Sequence, residues 1–224
     1  ILSGDEKLCE IFRSGRDVHT EVASAVMGLP ASEVDREMRR RAKIINFGIL
    51  YGMGVNALKT QLGTSIGEAQ QYLEDYFVTF SRLKEYLEET KGFARKNGYT
   101  ETLFGRRRQF PEMKSPLPYV RAQAERMAIN APIQGTQADI IKLAMVRVDA
   151  WLRENNMRED AHLLLQVHDE LVFEVRNEKV TELAKNIQHI METTFTDEQR
   201  NDVPILAEAK AGPNWGALEP LANQ

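Results

Sequence analysis

The chain has 224 residues, 42% of them hydrophobic and 28% charged, which is ample material for one large or two modest cores. No run approaches a membrane span, the N-terminus lacks a charged-then-apolar signal pattern, and the lone Cys9 excludes an internal disulfide or a cysteine-based zinc site, in keeping with a reducing, cytoplasmic setting. A net charge of −4 argues against a general polyanion binder, but positive charge is clumped at Arg36, Arg39, Arg40, Arg41 and Lys43 and again at Arg106, Arg107 and Arg108, where it can steer phosphates locally.

The opening Ile1-Leu2-Ser3-Gly4-Asp5 has no initiator Met and reads as cut from a longer protein. Residues 5–28 read as helix: Leu8, Ile11 and Phe12, then Val18, Val22 and Val26, keep helical spacing, with breaks at Gly15 and at Gly28-Leu29-Pro30. Ser32 or Asp35 can cap the next helix, which runs to about Tyr51 and stops at Gly52. Residues 66–97 predict one or two more helices, with Tyr72, Tyr76, Phe77, Phe80 and Leu83 on the apolar stripe and Gly98 as the stop. Residues 99–110 read as a hairpin with a basic return strand, followed by a loop punctuated by Pro111, Pro116 and Pro118. Two helices are predicted next, over 119–129 and about 137–155, interrupted at 130–135 because Pro132 disfavours helix at Ala131 and Gly135 loosens the backbone. Residues 163–175 carry the clearest β signal, a hairpin with Asp169 and Glu170 at or beside its turn. Residues 180–195 predict an amphipathic helix, 205–210 a last strand and 212–216 a terminal turn.

On the helix ending near Tyr51, the residues Arg39, Lys43, Phe47 and Tyr51 recur every four positions. Successive members drift by only ~40°, so they form one stripe about a third of the circumference wide. Ala42, Ile45 and Ile49 fall on the far side and can seat the helix on a core. The axial rise from Arg39 is ~12 Å to Phe47 and ~18 Å to Tyr51, about the reach of a nucleoside triphosphate with its phosphates at the basic end. A solvated basic face explains the arginines taken alone. It explains less well why the aromatics share that face when a separate aliphatic one exists.

Other constellations leave alternatives open. Adjacent Asp169 and Glu170 suit a solvated turn, where Asp is ordinary, and equally a divalent-metal site, since hard oxygen ligands suit Mg²⁺, which shares its shell with water and substrate phosphates. Arg126, Asn130 and Gln134, at helical spacing, can donate to the minor-groove acceptors that every base pair presents in similar places, although each singly is an ordinary polar helix residue. His19 can donate to a phosphate or be structural, with no partner spacing for a metal. Arg106–Arg108 after Gly105 suit a phosphate backbone or a solvated turn.

Four blocks share one resemblance. Arg39, Lys43, Phe47, Tyr51 and Gly52 resemble the Arg-x-x-x-Lys-x-x-x-Phe-x-x-x-Tyr-Gly motif of family A DNA polymerases, the bacterial DNA polymerase I type. His168-Asp169-Glu170 resembles that family's catalytic-carboxylate motif, and residues 102–108 and 130–136 resemble further family blocks in the same order. The similarity spans about Ser3 to Trp215 and implies an α+β fold: mostly helical fingers, residues 20–118, inserted in a palm made of 1–19 and 119–224 with a small antiparallel sheet. By the same resemblance Arg39 and Lys43 would hold the phosphates of an incoming dNTP, with His19 and Arg40 as lesser contacts. Phe47 would pack on sugar and base and discriminate between sugars, and Tyr51 would stack near the templating position. Asp169 would ligate two Mg²⁺ ions with Glu170 as a supporting acid. Arg126, Asn130, Gln134, Gln166 and His168 would line the minor groove of primer–template DNA, with Arg106 and Arg107 on its backbone.

The implied reaction is in-line attack of a primer 3′-oxygen on the α-phosphate, with Asp169, Glu170, Lys43 and Arg39 as its catalytic groups and pyrophosphate leaving. The implied partners are DNA, dNTP and an upstream thumb and palm portion of the same protein. No membrane is involved, and a monomer in the bacterial nucleoid is expected. One departure matters. The family's other metal-binding Asp lies in an Asp-Tyr-Ser-x-x-Glu-like strand, and no such run occurs in this sequence. Leu2–Asp5 resembles the family's segment just downstream of that strand, so the strand is expected just before Ile1, and residues 1–224 alone are not expected to polymerise DNA. A single-subunit RNA polymerase shares the metal and fingers motifs, and a non-catalytic DNA-binding remnant would share the fold. Asp169-Glu170 and the block-by-block match favour a DNA polymerase over the first, and the intact Asp169 speaks against the second.

Overall fold

Carboxylates and hydroxyls begin most helices of the N-terminal part of the chain, whose computed structural model describes residues 1–221. Asp5 accepts from the Leu8 N–H to start α1 (Glu6–Arg13), Asp17 from Thr20 to start α2 (Val18–Met27), and Asp35 from Met38 to start α3 (Arg36–Leu50). Each cap satisfies a backbone donor that the helix cannot, and places negative charge at the positive end of the helix dipole. After α4 (Val55–Leu62), Ser65 opens α5 (Ile66–Thr79) with a complete capping box. The Thr64 hydroxyl and the N–H and hydroxyl of Ser65 hold the Glu68 carboxyl down to about 2. Gly15 separates α1 from α2 as the spacing predicts, and the expected helical stretch at 66–97 is two helices, α5 and α6 (Ser81–Asn97), meeting at Phe80.

The chain divides into two compact units, Ile1–Thr136 with Asn201–Val203, and Gln137–Arg200 with the chain from Pro204 onward. In the first, Val22 and Ala23 of α2, Ile45 and Ile49 of α3, Leu58 and Leu62 of α4, and Ala69 and Tyr76 of α5 share one apolar cluster with Phe80 and Leu83. Buried Asp5 ties this cluster together, one oxygen capping α1 and the other accepting from the Leu83 N–H at 3.1 Å. The predicted hairpin over 99–110 is present: β1 (Tyr99–Glu101) runs antiparallel to β2 (Arg107–Gln109) with Thr100 opposite Arg108.

The expected interruption at 130–135 is absent. Instead α7 (Pro118–Glu154) is continuous, with Pro132 inside it. Proline removes one backbone hydrogen bond and crowds the carbonyl four residues back. Burial of Ala124, Ala128 and Ala131 against Phe110 and Met113, together with buried Ile129, holds the segment helical in spite of that cost. Tertiary packing overrides the local signal.

The second unit is built on β3 (Ala161–Val167) and β4 (Glu170–Val175), antiparallel from Ala161 opposite Val175 to Val167 opposite Glu170, with an irregularity between Leu163 and Leu165. Leu183 and Ile187 of α8 (Val180–Glu192) pack on Val148, Leu152 and Ala161. A short α9 (Asp197–Arg200) follows. The expected strand over 205–210 does not form. Only β5 (Lys210–Ala211) forms a strand, paired with β6 (Glu219–Pro220), with the Leu221 N–H donating to the Ala209 carbonyl at 3.0 Å just beyond it. Side chains of α8 serve that backbone instead: Gln188 donates to the Ala207 carbonyl at 3.0 Å, and the Ala207 N–H donates to Glu192 at 3.0 Å. The architecture is mostly helical with small antiparallel sheets, the α+β class, and among the described residues no helix is long and apolar enough to cross a membrane.

Phe80 is fully buried at the junction of α5 and α6, against the Tyr76 ring. Phe80→Ala is expected to cost about 3–5 kcal/mol in a urea unfolding titration, from lost transfer energy plus the cavity left behind. A loss under ~1 kcal/mol would mean that this junction is not the keystone of the first unit.

Candidate functional site

The far side of α3 is seated as its period requires. Ala42, Ile45 and Ile49 are 4%, 2% and 5% exposed, whereas Phe47 and Tyr51 are 45% and 52% exposed. Arg39 and Lys43 are exposed too, so the whole cationic-to-aromatic stripe faces out of the first unit. Seating and presentation are therefore two faces of one helix.

The cations of this stripe differ in how they are held. Arg39 binds Asp17 side-on, Nε to Oδ2 at 2.8 Å and Nη2 to Oδ1 at 2.7 Å. Hydrogen bonding from Arg39 and then Thr20 pushes the Asp17 carboxyl well below the usual carboxylate range. Arg40 forks onto Glu37 with both contacts at 2.7 Å, and Arg41 reaches Glu37 and the Tyr72 hydroxyl. These contacts hold Glu37 at about 2. Lys43 has no carboxylate within ion-pair reach among the described residues. His19 sits beside the stripe, its ring centroid 5.8 Å from that of Phe47 and its Nδ1 3.4 Å from Asn46 Nδ2. Where Asn46 donates, Nδ1 accepts and Nε2 carries the proton outward. Burial lowers the His19 pKa, and Arg39 and Lys43 lower it further against the opposing pull of Asp17.

Just past the end of α3, Gly52 has a φ of 66°, and a Cβ there would lie 2.9 Å from Arg126 Cγ and 3.3 Å from its Cα. A glycine is thus needed twice over, for the left-handed turn and for the approach of α7. Arg126 thus sits directly against Gly52, the residue after Tyr51. Because α7 is unbroken, Arg126, Asn130 and Gln134 share one helix face, as their spacing predicts. Beyond Gln134, a Cβ on Gly135 would meet Thr102 Cγ2 at 2.6 Å, Arg106 Nη2 donates to the Gly135 carbonyl at 2.9 Å, and Thr136 accepts from the Leu103 N–H at 3.0 Å. The loop bearing Arg106 is clasped to α7 there. Arg107 is engaged at home, 2.6 Å from Glu101 and stacked 4.4 Å over Tyr99, so a contact with a phosphate backbone would draw on a charge already shared.

In the second unit, His168 and Asp169 form the two-residue turn between β3 and β4, with His168 at φ 54°. That left-handed conformation is costly for a residue with a side chain and recurs at functional turns. Gln166 donates to the His168 carbonyl at 2.6 Å and braces the turn. Asp169 and Glu170 are exposed, and among the described residues no third carboxylate, histidine or cysteine clusters with them. Two exposed hard carboxylates on a rigid turn suit Mg²⁺, which takes few protein ligands and completes its shell with water and phosphate oxygens. Trp215 Nε1 donates to Glu170 Oε1 at 3.3 Å.

Reading the sequence missed Asp17, Asn46 and Trp215. Asp17 caps α2 through Thr20, and its second role on Arg39 is a contact across 22 positions that leaves no local signal. The Trp215–Glu170 contact spans 45 positions and left no local signal.

Known proteins resemble this chain in both sequence and fold. Over 214 residues, 96% of its length, the chain is 45% identical to DNA polymerase I, thermostable, of Thermus filiformis and to DNA polymerase I of Pseudomonas aeruginosa, covering 25% and 23% of those proteins. It thus spans about a quarter of the length of these curated relatives. Among solved structures, the POL domain of Pol1 from M. smegmatis, in complex with DNA primer-template and dNTP, superposes with a TM-score of 0.84 at 43% identity, over 91% of this chain and 35% of that one. The sequence profile of DNA polymerase family A matches residues 1–217, and the chain belongs to that family.

Proposed function

We propose that this chain supplies the fingers, residues 20–118, and part of the palm, residues 1–19 and 119–224, of a template-directed DNA polymerase that adds dNTPs to a primer 3′ end. The observation that carries the reading is the exposed stripe of Arg39, Lys43, Phe47 and Tyr51 opposite a buried aliphatic face. The M. smegmatis relative, solved with DNA primer-template and dNTP, supports both partners. The match to a DNA polymerase family favours dNTP over the rNTP of a single-subunit RNA polymerase.

In this reading the triphosphate lies along the basic half of α3. Lys43 and Arg39 neutralise charge that grows on the phosphates as the leaving group departs, and His19 donates its outward N–H. Phe47 packs on the sugar and base, and Tyr51 stacks near the templating position beside Arg126. Arg126, Asn130, Gln134, Gln166 and His168 donate to minor-groove acceptors and so test pair shape rather than sequence. Arg106 and Arg107 contact the DNA backbone. Asp169, with Glu170 beside it, would hold Mg²⁺, and the ion when bound would supply Lewis-acid neutralisation of the charge that builds on the reacting phosphate. The Trp215 indole keeps Glu170 in one orientation. The complete enzyme works as a monomer in the bacterial nucleoid, with upstream palm and thumb segments.

Arg39→Ala and Lys43→Ala, placed in a complete polymerase carrying this chain, are each expected to lower single-turnover dNTP incorporation by ~100-fold or more while primer–template binding persists, because each removes a charge aimed at the transition state. Asp169→Ala is expected to abolish incorporation, and unchanged rates in these variants would refute the assignment. Residues 1–224 alone, given Mg²⁺, dNTPs and a primer–template, are expected to yield no extension, since this sequence lacks the Asp-Tyr-Ser-x-x-Glu-like run that bears the family's other metal-binding Asp. Robust synthesis would overturn that part of the proposal. The His19 ring, followed by NMR through a pH titration, is expected to protonate below its ordinary 6.5. A midpoint at or above that value would contradict a neutral His19 donor.

A further inference from the structure

Asp17 is anchored on one side and shared on the other. As the cap of α2, its Oδ2 accepts from the Thr20 N–H at 2.8 Å and the Thr20 hydroxyl at 2.7 Å. The same carboxylate takes two hydrogen bonds from Arg39. The cap holds Asp17 whether or not Arg39 is present, so Arg39 is the partner able to leave. Both side chains are nearly half exposed, 45% for Arg39 and 44% for Asp17, and an ion pair so open to water is weak enough to exchange. Burial does not trap it.

The surrounding charges make this pair decisive. Glu37 is occupied by Arg40 and Arg41 on the same helix, and Lys43 has no carboxylate in reach among the described residues. Asp17 therefore cancels Arg39, and of the two cations on the stripe itself only Lys43 has no carboxylate in reach among the described residues. The fork that Arg39 presents to Asp17 is the geometry it would present to two phosphate oxygens, so carboxylate and phosphate compete for the same donors. At neutral pH Asp17 is firmly ionised, held so by Arg39 and Thr20, and always available to compete.

We propose that Asp17 is a fixed competitor for Arg39 that sets how tightly the phosphate end of α3 holds polyphosphates. It neutralises Arg39 when no phosphate is bound, yields it to a highly charged triphosphate, and recaptures it as pyrophosphate departs. Asp17 thus acts through Arg39 as a positioning residue, favouring triphosphate over less charged ligands and hastening product release, a step that limits many enzymes. The inference rests on the proposed nucleotide site.

The test is isothermal titration of the 224-residue chain with inorganic tripolyphosphate and with pyrophosphate, in wild type, Asp17→Asn, Arg39→Ala and the double variant. Asparagine keeps the helix cap and removes the charge. Asp17→Asn is expected to tighten both ligands at low salt, roughly 3-fold for tripolyphosphate and roughly 10-fold for pyrophosphate, as release of Arg39 from a screened ion pair implies, with the gain shrinking as salt rises. The gain should vanish in the Arg39→Ala background, which a purely structural effect of Asp17 would not do. Asp17→Ser, which also retains a cap, is expected to behave alike, and thermal melts by circular dichroism show whether each variant is folded. If Arg39→Ala weakens binding but Asp17→Asn leaves it unchanged or weaker, the competitor role is wrong and the nucleotide site stands. If Arg39→Ala leaves wild-type binding unchanged, the nucleotide reading of α3 fails and this inference falls with it.

Discussion

Burial of Ala42, Ile45 and Ile49 against α2, α4 and α5 sets the azimuth of α3, and with it the direction in which Arg39, Lys43, Phe47 and Tyr51 point. Each buried isoleucine contributes roughly 1.5–3 kcal/mol by removal from water, so rotating the helix by even one residue would forfeit more than any surface contact could return. The two exposed aromatics are left in water by that constraint. An exposed Phe and Tyr in line with Arg39 and Lys43 give the stripe an aromatic end beside its cationic one.

Around this helix, charge is arranged locally rather than as a broad basic surface. Asp17 pairs with Arg39, Glu37 is shared by Arg40 and Arg41, and Glu101 pairs with Arg107. Such exposed pairs add little stability. Each leaves its guanidinium partly exposed to solvent. Lys43, without such a partner among the described residues, is the standing charge of the site.

Glycine at two points lets α7 close in on the same unit. Gly52 admits Arg126 to the end of the stripe, and Gly135 admits the loop that bears Arg106. Both are places where a methyl group would meet atoms at under 3 Å, so these residues serve as spacers between the end of α3, α7 and the loop that bears Arg106.

The periodic parts of the chain were legible because a helix buries what its spacing dictates: the seated and exposed faces of α3, the break at Gly15, the stop at Gly98 and the turn at His168–Asp169 all follow from local residue order. α4 escaped notice because only Leu58 and Leu62 of its eight residues are buried, too few to mark a period. Pro132 announced a break that buried alanines overrode, and among the described residues the strand-like composition of 205–209 forms no strand ladder before β5. Sequence alone therefore determined the family, the stripe and the carboxylate turn, since these are local patterns of side-chain type. Tertiary structure alone decided that Arg39 is held by Asp17, that Gly52 receives Arg126 and that Trp215 holds Glu170. Those contacts join residues far apart in the chain, and only the packing of one element on another brings their donors and acceptors within hydrogen-bond reach.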